Sequence, residues 1–67
     1  MEIGQRIKTA RRAKKISRER LGRELNVSER TIYRWEVGDN TPPADTLQRI
    51  AEITDVPVAD FFETTAA

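Results

Sequence analysis

The sequence contains neither cysteine nor histidine among its 67 residues. No disulfide can staple the chain, no thiolate can act as a nucleophile, and the usual zinc sites lack their ligands. No apolar run approaches the ~20 residues of a membrane-spanning helix, so no membrane partner is expected. The segment Met1 to Lys15 is polar and basic and does not read as a signal peptide. Alternating apolar and polar residues bounded by hairpin turns are missing, so no β-strand competes with a helical reading. No internal repeat or low-complexity segment is visible. Without histidine, cysteine or clustered carboxylates there is no recognisable catalytic set, and neither an enzyme activity, a cofactor nor a metal site is expected. What remains for an unstapled chain of this length is one small, tightly packed helical domain, with the cytoplasm as the default location.

The net charge of +1 hides a division along the chain. Residues 1 to 34 hold eleven Lys or Arg against four Asp or Glu, whereas residues 35 to 67 hold one Arg against seven acids. A basic half on one side of a folded domain is an electrostatic footprint for a polyanion. The acidic half argues that one face binds and the other does not.

Local signals then place five helices. Ile3, Ile7 and Ala10 follow helical spacing, with Lys8, Arg11, Arg12, Lys14 and Lys15 around them, and this helix is predicted to end at Lys15-Ile16. The second helix runs from about Arg18 to Leu25. Ser17 stands at its N-cap, Glu19 lies in its first turn, and Leu21 and Leu25 share a face. Asn26 tolerates the left-handed backbone that a tight turn needs. Ser28 caps a third helix from Glu29 to about Glu36, with Ile32 and Trp35 pointing inward. Helix, short turn and capped helix form the helix-turn-helix pattern, whose second helix can enter a DNA major groove. A loop from Val37 to Pro42 leads to a fourth helix, predicted from Pro43 to about Thr54. A last short helix spans Val58 to Phe62. The domain is thus predicted over residues 1–62, with a flexible tail at 63–67.

In this order and spacing, Ile3-Gly4, Ile7, Arg11, Ile16-Ser17, Leu21, Val27-Ser28, Thr31-Ile32, Glu36, Gly38, Pro42, Thr46-Leu47, Ile50-Ala51 and Val56 to Phe61 carry a resemblance. The chain resembles the DNA-binding domain of phage repressors and Cro proteins, the XRE-type family. The resemblance covers about Ile3 to Phe62. It implies an all-α, compact five-helix bundle of the lambda-repressor-like type. It also implies a sequence-specific regulator of transcription, most simply a repressor of prokaryotic or phage origin, that binds double-stranded DNA.

The same resemblance assigns roles. Arg11 and Glu36 match a structural ion pair joining the first helix to the end of the third. The base-reading positions fall on Ser28, Glu29, Arg30 and Arg34. Arginine recognises guanine through O6 and N7, and glutamate accepts from the cytosine amino group. Base reading by at least one arginine is the favoured role, with phosphate clamping as the alternative, and Glu29 also suits the helix dipole. Backbone contacts are expected from Ser17, Arg18, Thr31, Tyr33, Gly38, Asn40 and Thr41. Arg18 stands where relatives commonly have glutamine. Asp39 stands in a loop where many relatives are basic. With no cation in that loop, its contribution must come from amide N–H groups and from Asn40 or Thr41, and the basic first helix is the candidate for compensation.

Two packing expectations complete the reading. Trp35 is assigned to the core. Gly22 occupies a usual alanine position, and a Gly22→Ala variant is expected to be more stable, because glycine within a helix costs roughly 0.5–1 kcal/mol. One small domain reads few base pairs, so a palindromic operator bound by a weak homodimer is expected. Half-site centres would lie about 34–36 Å apart. The dimer contact is placed on the C-terminal helices at Val56, Val58 and Phe62. The competing reading is a protein-interaction module on the same fold, antitoxin-like or bridging, for which the basic face would be dispensable.

Overall fold

The computed structural model describes residues 3–62. It contains α1 (Ile3–Ala13), α2 (Arg18–Leu25), α3 (Glu29–Val37) and α4 (Ala44–Thr54), then one 3₁₀ turn at Val58–Phe61. The expected tail at 63–67 lies outside the described residues.

All four helices end in the same way. The residue after each last turn is left-handed: Lys15 (φ 59°), Asn26 (φ 62°), Gly38 (φ 90°) and Asp55 (φ 60°). The following amide then closes a six-residue loop back to the helix. These bonds are Ile16 N–H to Arg11 O (3.1 Å), Val27 to Gly22 (2.8 Å), Asp39 to Arg34 (2.9 Å) and Val56 to Ala51 (3.0 Å). This is the Schellman stop, which satisfies carbonyls that a helix end would otherwise orphan. At three of the four stops the closing residue is apolar: Ile16 belongs to the buried core, and Val27 and Val56 pack against it. The stop therefore sets the angle of the next element as well as ending the last one. At the fourth stop the closing residue is Asp39, which stays exposed.

The helical phases bury one face each. Ile7, Leu21, Ile32, Leu47, Ile50 and Phe61 are completely enclosed. Trp35 is buried, as its phase with Ile32 predicted. Thr54, which apolar spacing did not flag, is also buried, because its hydroxyl donates to the Ile50 carbonyl at 2.7 Å. Arg6 donates to the Asp60 carbonyl (2.8 Å), tying α1 to the 3₁₀ turn, and Arg49 donates to Glu24 O (3.0 Å), tying α4 to the end of α2. No described helix is long and apolar enough to cross a membrane.

Several expectations are corrected here. The first helix stops at Ala13 rather than Lys15-Ile16, because Lys15 turns left-handed. Pro43 is the N-cap of α4 and not its first residue. The fifth helix is a single 3₁₀ turn at Val58–Phe61 rather than a helix to Phe62, which lies outside it and is 51% exposed.

The expected gain from Gly22→Ala is overturned. A Cβ at Gly22 would lie 2.6 Å from the Val27 carbonyl oxygen and 3.3 Å from Ser28 backbone atoms. The obstacle is backbone of the turn between α2 and α3, so no side chain can swing aside. Overpacking of this kind costs about 1–3 kcal/mol, which outweighs the helix-propensity gain. Thermal melting of Gly22→Ala should show a lower midpoint than the parent; a higher one would restore the propensity argument.

Candidate nucleic-acid interface

The outward face of α3 follows from what its inward face buries. Ile32, Trp35 and Glu36 turn inward. Glu29, Arg30, Tyr33 and Arg34 are left exposed. Together with Arg18 and Asp39 they line one shallow concave surface. Among the base-reading candidates, Glu29, Arg30 and Arg34 therefore share one face, with Ser28 at its N-terminal end.

The two serines are engaged before any ligand arrives. Ser17 Oγ accepts the Arg20 N–H at 3.0 Å, and Ser28 Oγ accepts the Thr31 N–H at 3.1 Å. Ser28 Oγ also lies 2.9 Å from Thr31 Oγ1. Only one of these two hydroxyls can donate to the other, so the pair keeps one O–H for an outside acceptor. Ser28 and Thr31 thus act as one donor rather than two.

Behind this face lies a charged brace. Glu36 is buried, with its side chain 1% exposed. Arg11 Nε donates to Glu36 Oε2 at 2.6 Å, Arg11 Nη2 to Oε1 at 3.3 Å, and Arg11 Nη1 to the Ile16 carbonyl at 2.9 Å. The expected pair is therefore present, and it also holds the stop of α1. Arg18 joins it, with Nε donating to Glu36 Oε1 at 3.1 Å. The Arg18 guanidinium carbon stands 5.3 Å from the centre of the Tyr33 ring. No buried side-chain polar atom among the described residues lacks a partner. Sequence reading missed Arg18 in this role, because its partner Glu36 is eighteen positions away and local spacing carries no such signal.

The loop after α3 departs from expectation. The Gly38 and Asp39 amides point back into the helix end, onto Trp35 O (3.3 Å) and Arg34 O (2.9 Å), and the Asn40 amide reaches Arg34 O at 3.4 Å. The amide donors that the sequence reading offered to DNA at Gly38 and its neighbours are thus already taken. The side chains of Asn40 and Thr41 and the Thr41 amide remain from that set. Asp39 Oδ2 also lies 3.9 Å from Arg34 Nε, both side chains being largely exposed.

A capped helix pair with one buried and one basic, exposed row is the geometry of a helix-turn-helix. Residues 7–61 match the family model described as helix-turn-helix. The chain belongs to the helix-turn-helix family. This bears out the resemblance to the XRE-type repressor and Cro domains. It is 38% identical over 63 residues to uncharacterized HTH-type transcriptional regulators of Sinorhizobium medicae and Rhizobium meliloti, covering 94% of this chain. Those proteins are longer, and the matched part is 45% of each. Among solved structures it is similar to SinR, the master regulator for biofilm formation, in a crystal structure with DNA. That similarity has TM-score 0.81 and 29% identity, over 91% of this chain and 98% of the other. It is also similar to the N-terminal DNA-binding domain of SinR from Bacillus subtilis. Here the TM-score is 0.81 at 27% identity, covering 97% of this chain and 96% of that one.

Proposed function

We propose that this domain is the DNA-reading part of a transcriptional regulator, acting in the cytoplasm, with α3 inserted in the major groove of a double-stranded operator. The observation that carries this reading is the row Glu29, Arg30, Tyr33 and Arg34, exposed along a helix whose opposite row is buried in the core. A structurally similar domain from a regulator of known action has been solved with DNA, which supports the same docking here. Arg30 and Arg34 lie four apart on one face and reach base edges together, so at least one G·C pair is expected in each half-site. Ser28 with Thr31, Ser17, Tyr33, Asn40 and Thr41 position the backbone. Repression follows most simply from occupying an operator that polymerase would otherwise use.

Two copies on a palindromic site complete the reading. Of the three residues assigned to the dimer contact, Val56 and Val58 are already half-buried against the core. Phe62 is the one that offers free apolar surface.

Selection of binding sites from random duplex DNA tests the reading, run in parallel with Arg30→Ala and Arg34→Ala. The parent should enrich a palindromic motif. One or both variants should lose preference at one position per half-site, equivalent to about 1–3 kcal/mol of discrimination. Failure of the parent to enrich any motif would sink base reading and favour the interaction-module alternative. Sedimentation of the free and DNA-bound domain should show a second copy recruited on DNA.

A further inference from the structure

Two segments next to α3 in the fold carry opposite charge. On the C-terminal flank, residues 38 to 43 contain Asp39 and no Lys or Arg, and the amides of residues 38 to 40 are bonded to the helix end. The turn between α1 and α2, tied to Glu36 through Arg11 and Arg18, instead carries Lys14 and Lys15, both exposed. Neither side chain enters a hydrogen bond or ion pair among the described residues.

The position of this turn is fixed. The Schellman stop at Lys15 folds Ile16 into the core, and Arg11 clamps the Ile16 carbonyl while holding Glu36. Arg18, three residues beyond Lys15, is held by the same carboxylate and lines the concave surface with Arg30 and Arg34. Three residues of chain span at most about 11 Å, and a lysine side chain adds to that reach. Lys14 and Lys15 are therefore exposed and unpaired within four residues of Arg18, on a turn that the core and the brace hold in place.

We infer that the α1–α2 turn is a phosphate-gripping site, with Lys14 and Lys15 binding the DNA backbone beside the groove that α3 reads. The domain then anchors mainly on the strand at this flank, and the α3–α4 loop contributes little. This rests on the DNA-binding reading above, and the experiment separates the two.

The variant Lys14→Gln/Lys15→Gly removes both charges without disturbing the stop, because glycine adopts the left-handed backbone of Lys15 freely. Affinity is measured from about 50 to about 200 mM salt on the duplex recovered by selection, or on mixed-sequence duplex if none is recovered. Each lost phosphate contact reduces the salt slope by about 0.9, so the double variant should lose about two units of slope. The parent should then fall roughly tenfold further than the variant across that salt range. The selected motif should be unchanged, and Asp39→Lys should steepen the slope by about one unit. An unchanged slope in the double variant, with the motif retained, would overturn the phosphate site and leave the DNA-binding reading standing. Absence of binding to any duplex by the parent at low salt would overturn both.

Discussion

Replacing Glu36 by glutamine is expected to destabilise this domain by about 3–5 kcal/mol. The reason lies with Arg11 more than with Glu36. Arg11 is 8% exposed and cannot turn its guanidinium to water when its carboxylate is gone. An uncompensated buried charge is among the few single changes with an effect of this size. Native stability of about 0.05–0.15 kcal/mol per residue amounts to roughly 3–10 kcal/mol for this chain, so the loss is a large fraction of the total. The thermal midpoint should drop by at least roughly 12 °C, taking about 4–8 °C per kcal/mol for a domain of this length. A drop below about 4 °C would show that the brace adds little.

The two arginines on Glu36 should separate cleanly in double-mutant cycles. Arg11 is bidentate and enclosed, so its coupling to Glu36 should be several kcal/mol. Arg18 has a side chain 32% exposed, so solvent screens it and its coupling should be about 1 kcal/mol or less. A joint Arg11→Met/Glu36→Leu replacement should recover much of the loss, because apolar isosteres remove the desolvation burden along with the pair.

Most of the architecture was legible because the signals were local. Ser17 and Ser28 stood at the caps they occupy, and the phase of Leu21, Leu25, Ile32 and Trp35 assigned the inward faces. The division of charge along the chain pointed to the face that would meet a polyanion. What escaped depended on contacts between distant segments, or on backbone states that residue type disfavours. Lys15 does not advertise a left-handed stop, and Asp55 does so only weakly; the apolar Ile16 and Val56 after them, folding back onto the core, select it. The Arg18–Glu36 bond joins positions eighteen apart. The amides at Gly38 and Asp39 were offered to DNA because a loop reads as free until its hydrogen bonds are traced. Gly22 was judged on helix propensity alone, whereas the Val27 carbonyl decides its fate.

Gly4 extends that last lesson to the second-largest expected effect. A Cβ at Gly4 would fall within 2.2 Å of the Trp35 carbonyl oxygen, 2.7 Å from Glu36 O and 3.0 Å from Glu36 C. All three atoms belong to the main chain at the end of α3, so α1 rests directly on that end. Relief needs a shift of about an ångström by one helix, or unwinding of the first turn of α1. Either would loosen the packing of Ile3 and expose the edge of Trp35, which are held against the same core. Gly4→Ala should therefore cost about 3 kcal/mol, the upper end of the overpacking range. The displaced residues include Glu36 and adjoin Arg34, so recognition should suffer beyond the loss of folded protein. DNA affinity measured well below the melting midpoint should still fall, whereas Gly22→Ala, whose clash lies at the other end of α3, should leave the Arg34 end in place. If Gly4→Ala melts within about 4 °C of the parent, the close approach of α1 to α3 is not what positions the recognition helix.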